Sequence, residues 1–136
     1  MNMKSVLILV ALFFVAPMAQ AYKDFKCKVI DSVTLEKDGT LSRVSNVAKG
    51  KRDKEFIVNR QTGQITGGGF VNTMSGQMPT VYNYLPQENG FKAVTIYKPH
   101  FTVDYLEISE YVSGDKKPFF YKGAWGEMVS GVCVYF

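Results

Sequence analysis

The chain has 136 residues, with 16 lysines and arginines against 12 acids and a formal net charge of +4. One histidine and 2 cysteines are too few side chains for a zinc centre built on His and Cys, so no metal is expected. The charge excess is mild, and neither a cofactor nor a nucleic acid is expected as a partner.

Residues 1–21 read as a cleavable signal peptide. Lys4 supplies the positive start, and residues 6–15 (VLILVALFFV) form an unbroken apolar run. Pro17 breaks the run, and Ala19-Gln20-Ala21 offers the small-x-small pattern that a signal peptidase cleaves. The run is far short of the roughly 20 apolar residues a membrane-spanning helix needs. No membrane span is expected elsewhere, and residue 22 is Tyr, not a lipid-accepting Cys. Cleavage after Ala21 leaves about 115 residues, 22–136, the size of one ordinary domain. A periplasmic or secreted location follows.

In an oxidising compartment Cys27 and Cys133, with no metal-ligand spacing between them, read as one disulfide. A single pairing is possible. It requires the first and last strands to lie side by side, with Cα atoms about 5.5 Å apart.

From the start of the mature chain, residues 25–35 (FKCKVIDSVTL) alternate Phe25, Cys27 and Val29 with Lys26 and Lys28, a strand pattern. Lys37-Asp38-Gly39 marks a turn, and residues 41–47 continue the hairpin. Four cations in residues 49–54 (KGKRDK) read as a solvated basic loop. Residues 55–60 form a short strand that turns at Gln61-Thr62-Gly63 into residues 64–66. Gly67-Gly68-Gly69 is a corner or bulge, because no Gly-Lys-Ser/Thr follows to make a phosphate loop. A loose stretch, 72–79, precedes strand 80–85. Asn89-Gly90 is the strongest tight-hairpin signal, leading into strand 91–98. Strands 101–111, 119–125 and 128–136 complete the chain, with Ser113-Gly114-Asp115 as a further turn. The expected fold is all-β: an antiparallel meander of seven or eight strands, barrel or sandwich, closed by one disulfide.

Chemistry is sparse. His100 is the one candidate base, and a hydrolase would require it to converge with Asp104 or Glu107, yet no nucleophile motif accompanies it. Asp104 and Glu110 share a strand face about 20 Å apart, too far for a glycosidase pair, and read as solvated acids. No enzymatic activity is expected. Aromatic residues are abundant, with 8 tyrosines, 10 phenylalanines and 1 tryptophan. Tyr82, Tyr84, Phe119, Tyr121 and Trp125 are the candidate binding surface, with Met74 and Met78 as an adaptable rim.

The segments FKCKV (25–29), DGTL (38–41), FIVNRQTGQITG (56–67) and SGVC (130–133) resemble those of small exported bacterial proteins of uncharacterised function. That resemblance covers most of the mature chain and implies no catalytic residue. In size, export and strand number the chain is also similar to the periplasmic lysozyme inhibitors. The terminal VCVYF (132–136) resembles the last strand of outer-membrane β-barrel proteins, over that strand alone. Lysines at outward positions of strand 25–35 argue against a lipid-facing barrel, at roughly 2–4 kcal/mol each near the bilayer midplane. The expected function is an exported, non-enzymatic binding domain for a protein partner or a small apolar ligand. A lysozyme-type inhibitor is one specific form of it.

Overall fold

The computed structural model describes residues 23–136. The expected signal peptide, residues 1–21, lies outside them. Among the described residues nine strands form one antiparallel sheet that curls into a half-barrel. The strands are β1 (Phe25–Leu35), β2 (Leu41–Ser42), β3 (Glu55–Val58), β4 (Ile65–Thr66), β5 (Thr80–Tyr82), β6 (Phe91–Tyr97), β7 (Thr102–Ile108), β8 (Lys117–Lys122) and β9 (Glu127–Tyr135). Two short α-helices, α1 (Asn46–Lys51) and α2 (Pro86–Asn89), and a 3-10 turn (Met74–Gly76) lie between strands. The hydrogen-bonded order is β4-β3-β1-β9-β8-β7-β6-β5, with β2 paired to β1 off this path. No helix among the described residues is long and apolar enough to cross a membrane.

β1 organises the sheet. It pairs with β3 along one edge and with β9 along the other. A bulge between Val29 and Asp31 shifts the β1–β9 register, and such a bulge bends the strand and increases its twist. Gly131 lies opposite Val29, and a Cβ there would collide with the Lys28 carbonyl and the Phe119 ring. Glycine is therefore required opposite Val29.

Alternation sends Phe25, Cys27, Phe56, Val58, Phe91, Leu106, Ile108, Phe119, Tyr121, Val129 and Cys133 into one concave core. Ring contacts run through it, with centroids 5.2 Å apart for Phe25–Phe91 and for Phe56–Phe119. The two path ends, β4 and β5, are bridged by side chains from the segment after β4. Phe70 stacks on Phe56 and meets Tyr121 edge-on. Buried Asn72 donates to the Gly63 carbonyl and accepts from the Ile65 amide, each at 2.9 Å. Its own carbonyl accepts from the Thr95 hydroxyl at 2.8 Å.

Three local expectations change. The 89–90 pair is not a tight two-residue hairpin, because Pro86 at the helix start favours a helical turn, α2, which Gly90 ends at φ 69°. The basic run is partly helical: the Ser45 hydroxyl caps α1 by accepting from the Ala48 amide at 3.1 Å, and Ala48 is buried. Finally, the expected hairpin continuation over 41–47 is only the two residues of β2.

Cys27 and Cys133 are direct cross-strand partners in the β1–β9 ladder, and they are disulfide-bonded. Their Cα atoms are 3.9 Å apart, closer than the sequence led us to expect, because the two residues face each other on adjacent strands. An intramolecular disulfide of this kind fits an extracellular, oxidising compartment. The bond spans 106 residues, and in the chain-entropy picture that cross-link is worth about 4–5 kcal/mol. Replacing both cysteines by alanine is expected to lower unfolding free energy by up to about that amount in urea titrations. A loss below about 1 kcal/mol would show that the β1–β9 ladder holds the fold without the bond.

Candidate functional site

The half-barrel has two ends, and each holds a polar cluster beneath exposed aromatic loops. At the first, Arg60 follows β3 and turns inward. Its guanidinium makes a bidentate pair with Glu110, at 2.9 and 2.8 Å, and both side chains are almost fully buried. Tyr135 donates its hydroxyl to the same carboxylate at 2.8 Å, and Arg60 also donates to the Lys23 carbonyl at 2.9 Å. The Asp24 carboxylate accepts from the Arg60 amide, and Asn83 accepts a longer bond from the guanidinium at 3.4 Å. The guanidinium also lies 4.3 Å from the Phe25 ring centroid, a cation–π distance. Burial and Glu110 raise the Tyr135 pKa, which keeps its hydroxyl a donor.

This cluster ties the residues just before β1, the β3–β4 turn, the β5–β6 connection and the β7–β8 loop to one centre. Around it stand Tyr82, Tyr84, Leu85, Tyr111 and Phe136, all exposed. Leu85 adopts the left-handed region at φ 45°, a conformation that costs a bulky residue roughly 1–2 kcal/mol. Glu110→Ala removes the carboxylate that faces a buried guanidinium, so a loss of about 3–5 kcal/mol is expected in chemical denaturation. A loss under 1 kcal/mol would mean that water reaches Arg60 and the pair is not structural.

The second polar cluster lies at the α1 end. Asp104 on β7 points inward and accepts from the Tyr97 hydroxyl, from the Tyr121 hydroxyl at 2.9 Å and from the Ala124 amide at 2.6 Å. One carboxylate therefore holds the β6–β7 and β8–β9 hairpins together. Burial, helped by Asp104, drives both tyrosine pKa values far above the usual range, so both remain proton donors. Phe101 and Trp125 stand exposed on the turns of these hairpins, and Phe101 is also left-handed, at φ 59°. Gln77 grips the β6–β7 turn from a neighbouring loop, accepting from the Lys98 amide at 2.8 Å and donating to its carbonyl at 3.3 Å.

Beside Asp104, Glu127 is buried against Gly123, and its Oε2 has no hydrogen-bond partner among the described residues. Burial pushes its pKa up and Asp104 adds to the rise, while Lys51 and Lys122 oppose it. The folded state thus binds this proton more tightly than the unfolded chain. Its contribution to stability is complete below the ordinary carboxyl range and is lost as pH rises through the raised value. Glu127→Gln should flatten that dependence and stabilise the protein at pH 8. Thermal melts at pH 4 and pH 8 check this, and an equal or lower Tm for the variant at pH 8 contradicts it.

The structure separates the candidate binding residues. Phe119 and Tyr121 face the core, whereas Tyr82 and Tyr84 are exposed at the Arg60 end and Trp125 at the α1 end. His100 is exposed, Asp104 is enclosed by its three donors, and Glu107 lies on the outer face, accepting from the Tyr105 hydroxyl at 2.6 Å. Burial and this bond push the Tyr105 pKa up to about 12. These three do not converge. Asp104 and Glu110, expected as solvated acids, are instead buried and satisfied. Shallow grooves of about 160 Å³ beside Phe120 and Leu41, and of about 200 Å³ beside Phe56 and Thr66, lie along the sheet. No protein-family model, curated protein or solved structure matches the chain.

Arg60, Tyr97 and Glu127 were not singled out by the sequence reading. A signal existed for Glu127: a period-two count back from Cys133 passes through Gly131 and Val129 to reach it. Nothing comparable marked Arg60, whose partner lies 50 residues away.

Proposed function

We propose that this chain is an exported, non-catalytic binding domain that engages a protein partner through the Arg60 end. Export rests on the apolar run before Ala19-Gln20-Ala21 and on a disulfide that suits an oxidising compartment. Binding rests on one observation: Tyr82 at the end of β5, and Tyr84 and Tyr111 on the connections that Asn83, Glu110 and Arg60 hold in place, are exposed. Tyrosine supplies large amphipathic contact area at low entropic cost, and a fixed scaffold lowers the cost further. A protein partner is favoured over a small apolar ligand because the core is filled by ring-on-ring contacts. The two grooves also fall below the roughly 300–1,000 Å³ of small-molecule sites.

The test uses the processed, disulfide-bonded protein as bait against envelope and secreted fractions, with lysozyme as a defined candidate. Wild type is expected to retain one stoichiometric partner, and Tyr84→Ala with Tyr111→Ala to lose it at least tenfold. Surface substitutions of this kind change stability within about 0.5 kcal/mol, so the melt should not move. Equal capture by wild type and variant contradicts the assignment of the Arg60 end.

A further inference from the structure

The α1 end differs from the Arg60 end in charge. Four connections meet there: α1 with its following turn (46–54), the segment 67–78, the β6–β7 turn and the β8–β9 turn. Within them stand Lys49, Lys51, Arg52, Lys54 and Lys98 against the single acid Asp53. The same connections expose Val47, Val71, Met78, Phe101 and Trp125, with Phe101 66% and Trp125 77% accessible. A fifth connection at this end, the β1–β2 turn, carries Glu36 and Asp38 beside Lys37 and no aromatic residue.

We infer that the α1 end docks on an anionic lipid surface, with Phe101 and Trp125 entering the headgroup region and the surrounding lysines facing lipid phosphates. The apolar side chains are spread over the four connections, and cations stand beside them on two of these. A soft bilayer can close around several such tips at once, whereas a rigid acidic protein would need a matching pocket for each. Indole and phenyl rings favour the lipid interface, and lysines beside them add attraction to negative headgroups. Asp104 bonds the Ala124 amide and the tyrosines of both hairpins, so the two rings are presented together rather than on independent loops. Phe101 is held outward by a left-handed backbone. The interaction is independent of the tyrosine-rich opposite end, which it would leave facing away from the membrane.

Trp125 is the single tryptophan, so its fluorescence reports on this surface directly. The processed, disulfide-bonded protein is titrated with vesicles of phosphatidylcholine alone and of phosphatidylcholine with phosphatidylglycerol, and sedimentation is followed in parallel. The expected result is a blue shift and co-sedimentation with the anionic vesicles, weakened at least tenfold by neutral lipid or by 1 M salt. Phe101→Ser and the pair Lys49→Glu with Lys98→Glu should each weaken binding at least tenfold while leaving the melt unchanged. No shift with anionic vesicles overturns the proposal. So does binding that ignores lipid charge, or binding that survives both sets of substitutions. Capture of an acidic protein by this end without vesicle binding overturns it as well. Partner capture lost with Tyr84→Ala and Tyr111→Ala tests the Arg60 end alone, so the two readings fail separately.

Discussion

The pairing of β1 with β9 is the constraint on which the rest of the structure depends. It brings residues from the two ends of the described chain into one ladder, and the Cys27–Cys133 bond fixes that ladder at a point buried in the core. With the join in place, β3 and β4 extend the sheet on one side, and β8 through β5 extend it on the other. The Val29/Asp31 bulge bends the central strand, and Gly131 lets its neighbour approach. A curled half-barrel is the consequence, and its open side is filled by Phe70 and Asn72 rather than by further ladder bonds.

A half-barrel leaves two ends to seal, and the polar clusters at them are handled differently. At the Arg60 end opposite charges neutralise one another, and Tyr135 satisfies a further acceptor. Near α1, two carboxylates sit close together without a buried cation between them. Asp104 is satisfied by three donors, and burial raises the Glu127 pKa. The first arrangement suits a rigid support. The second holds two hairpin tips in register at the expense of a carboxyl group that ionises with difficulty. Both ends then carry a bulky apolar residue in a left-handed backbone, Leu85 and Phe101, exposed to solvent. Strain retained at exposed apolar positions accumulates where surfaces recognise something.

Much of the fold was legible because alternation and turn chemistry are local. Phe25, Cys27 and Val29 announced the inward face of β1, and two cysteines far apart in sequence forced the ends together. The strand boundaries near Asp38-Gly39 and Gln61-Thr62-Gly63 followed from residues that prefer turns. What was not legible depended on distance in sequence or on a local competitor. Asn89-Gly90 suggested a tight hairpin, but Pro86 organised the chain a turn earlier. Phe119 and Tyr121 looked like surface aromatics because their segment alternates with exposed Phe120, and the sequence does not say which face is inward. Asp104 and Glu110 looked solvated because carboxylates seldom enter a core unpaired, and their partners come from other strands. The candidate site was therefore half visible: the exposed tyrosines and Trp125 were named, whereas the buried groups that hold them were not.

Everything above requires the two termini of the sheet to be joined covalently in the native protein. Mass analysis after alkylation of the denatured, unreduced protein, followed by proteolysis, is the most direct check. The account predicts no alkylated cysteine and one cross-linked fragment pairing Cys27 with Cys133. Two alkylated cysteines, or linkage of either one to a second molecule, would contradict it.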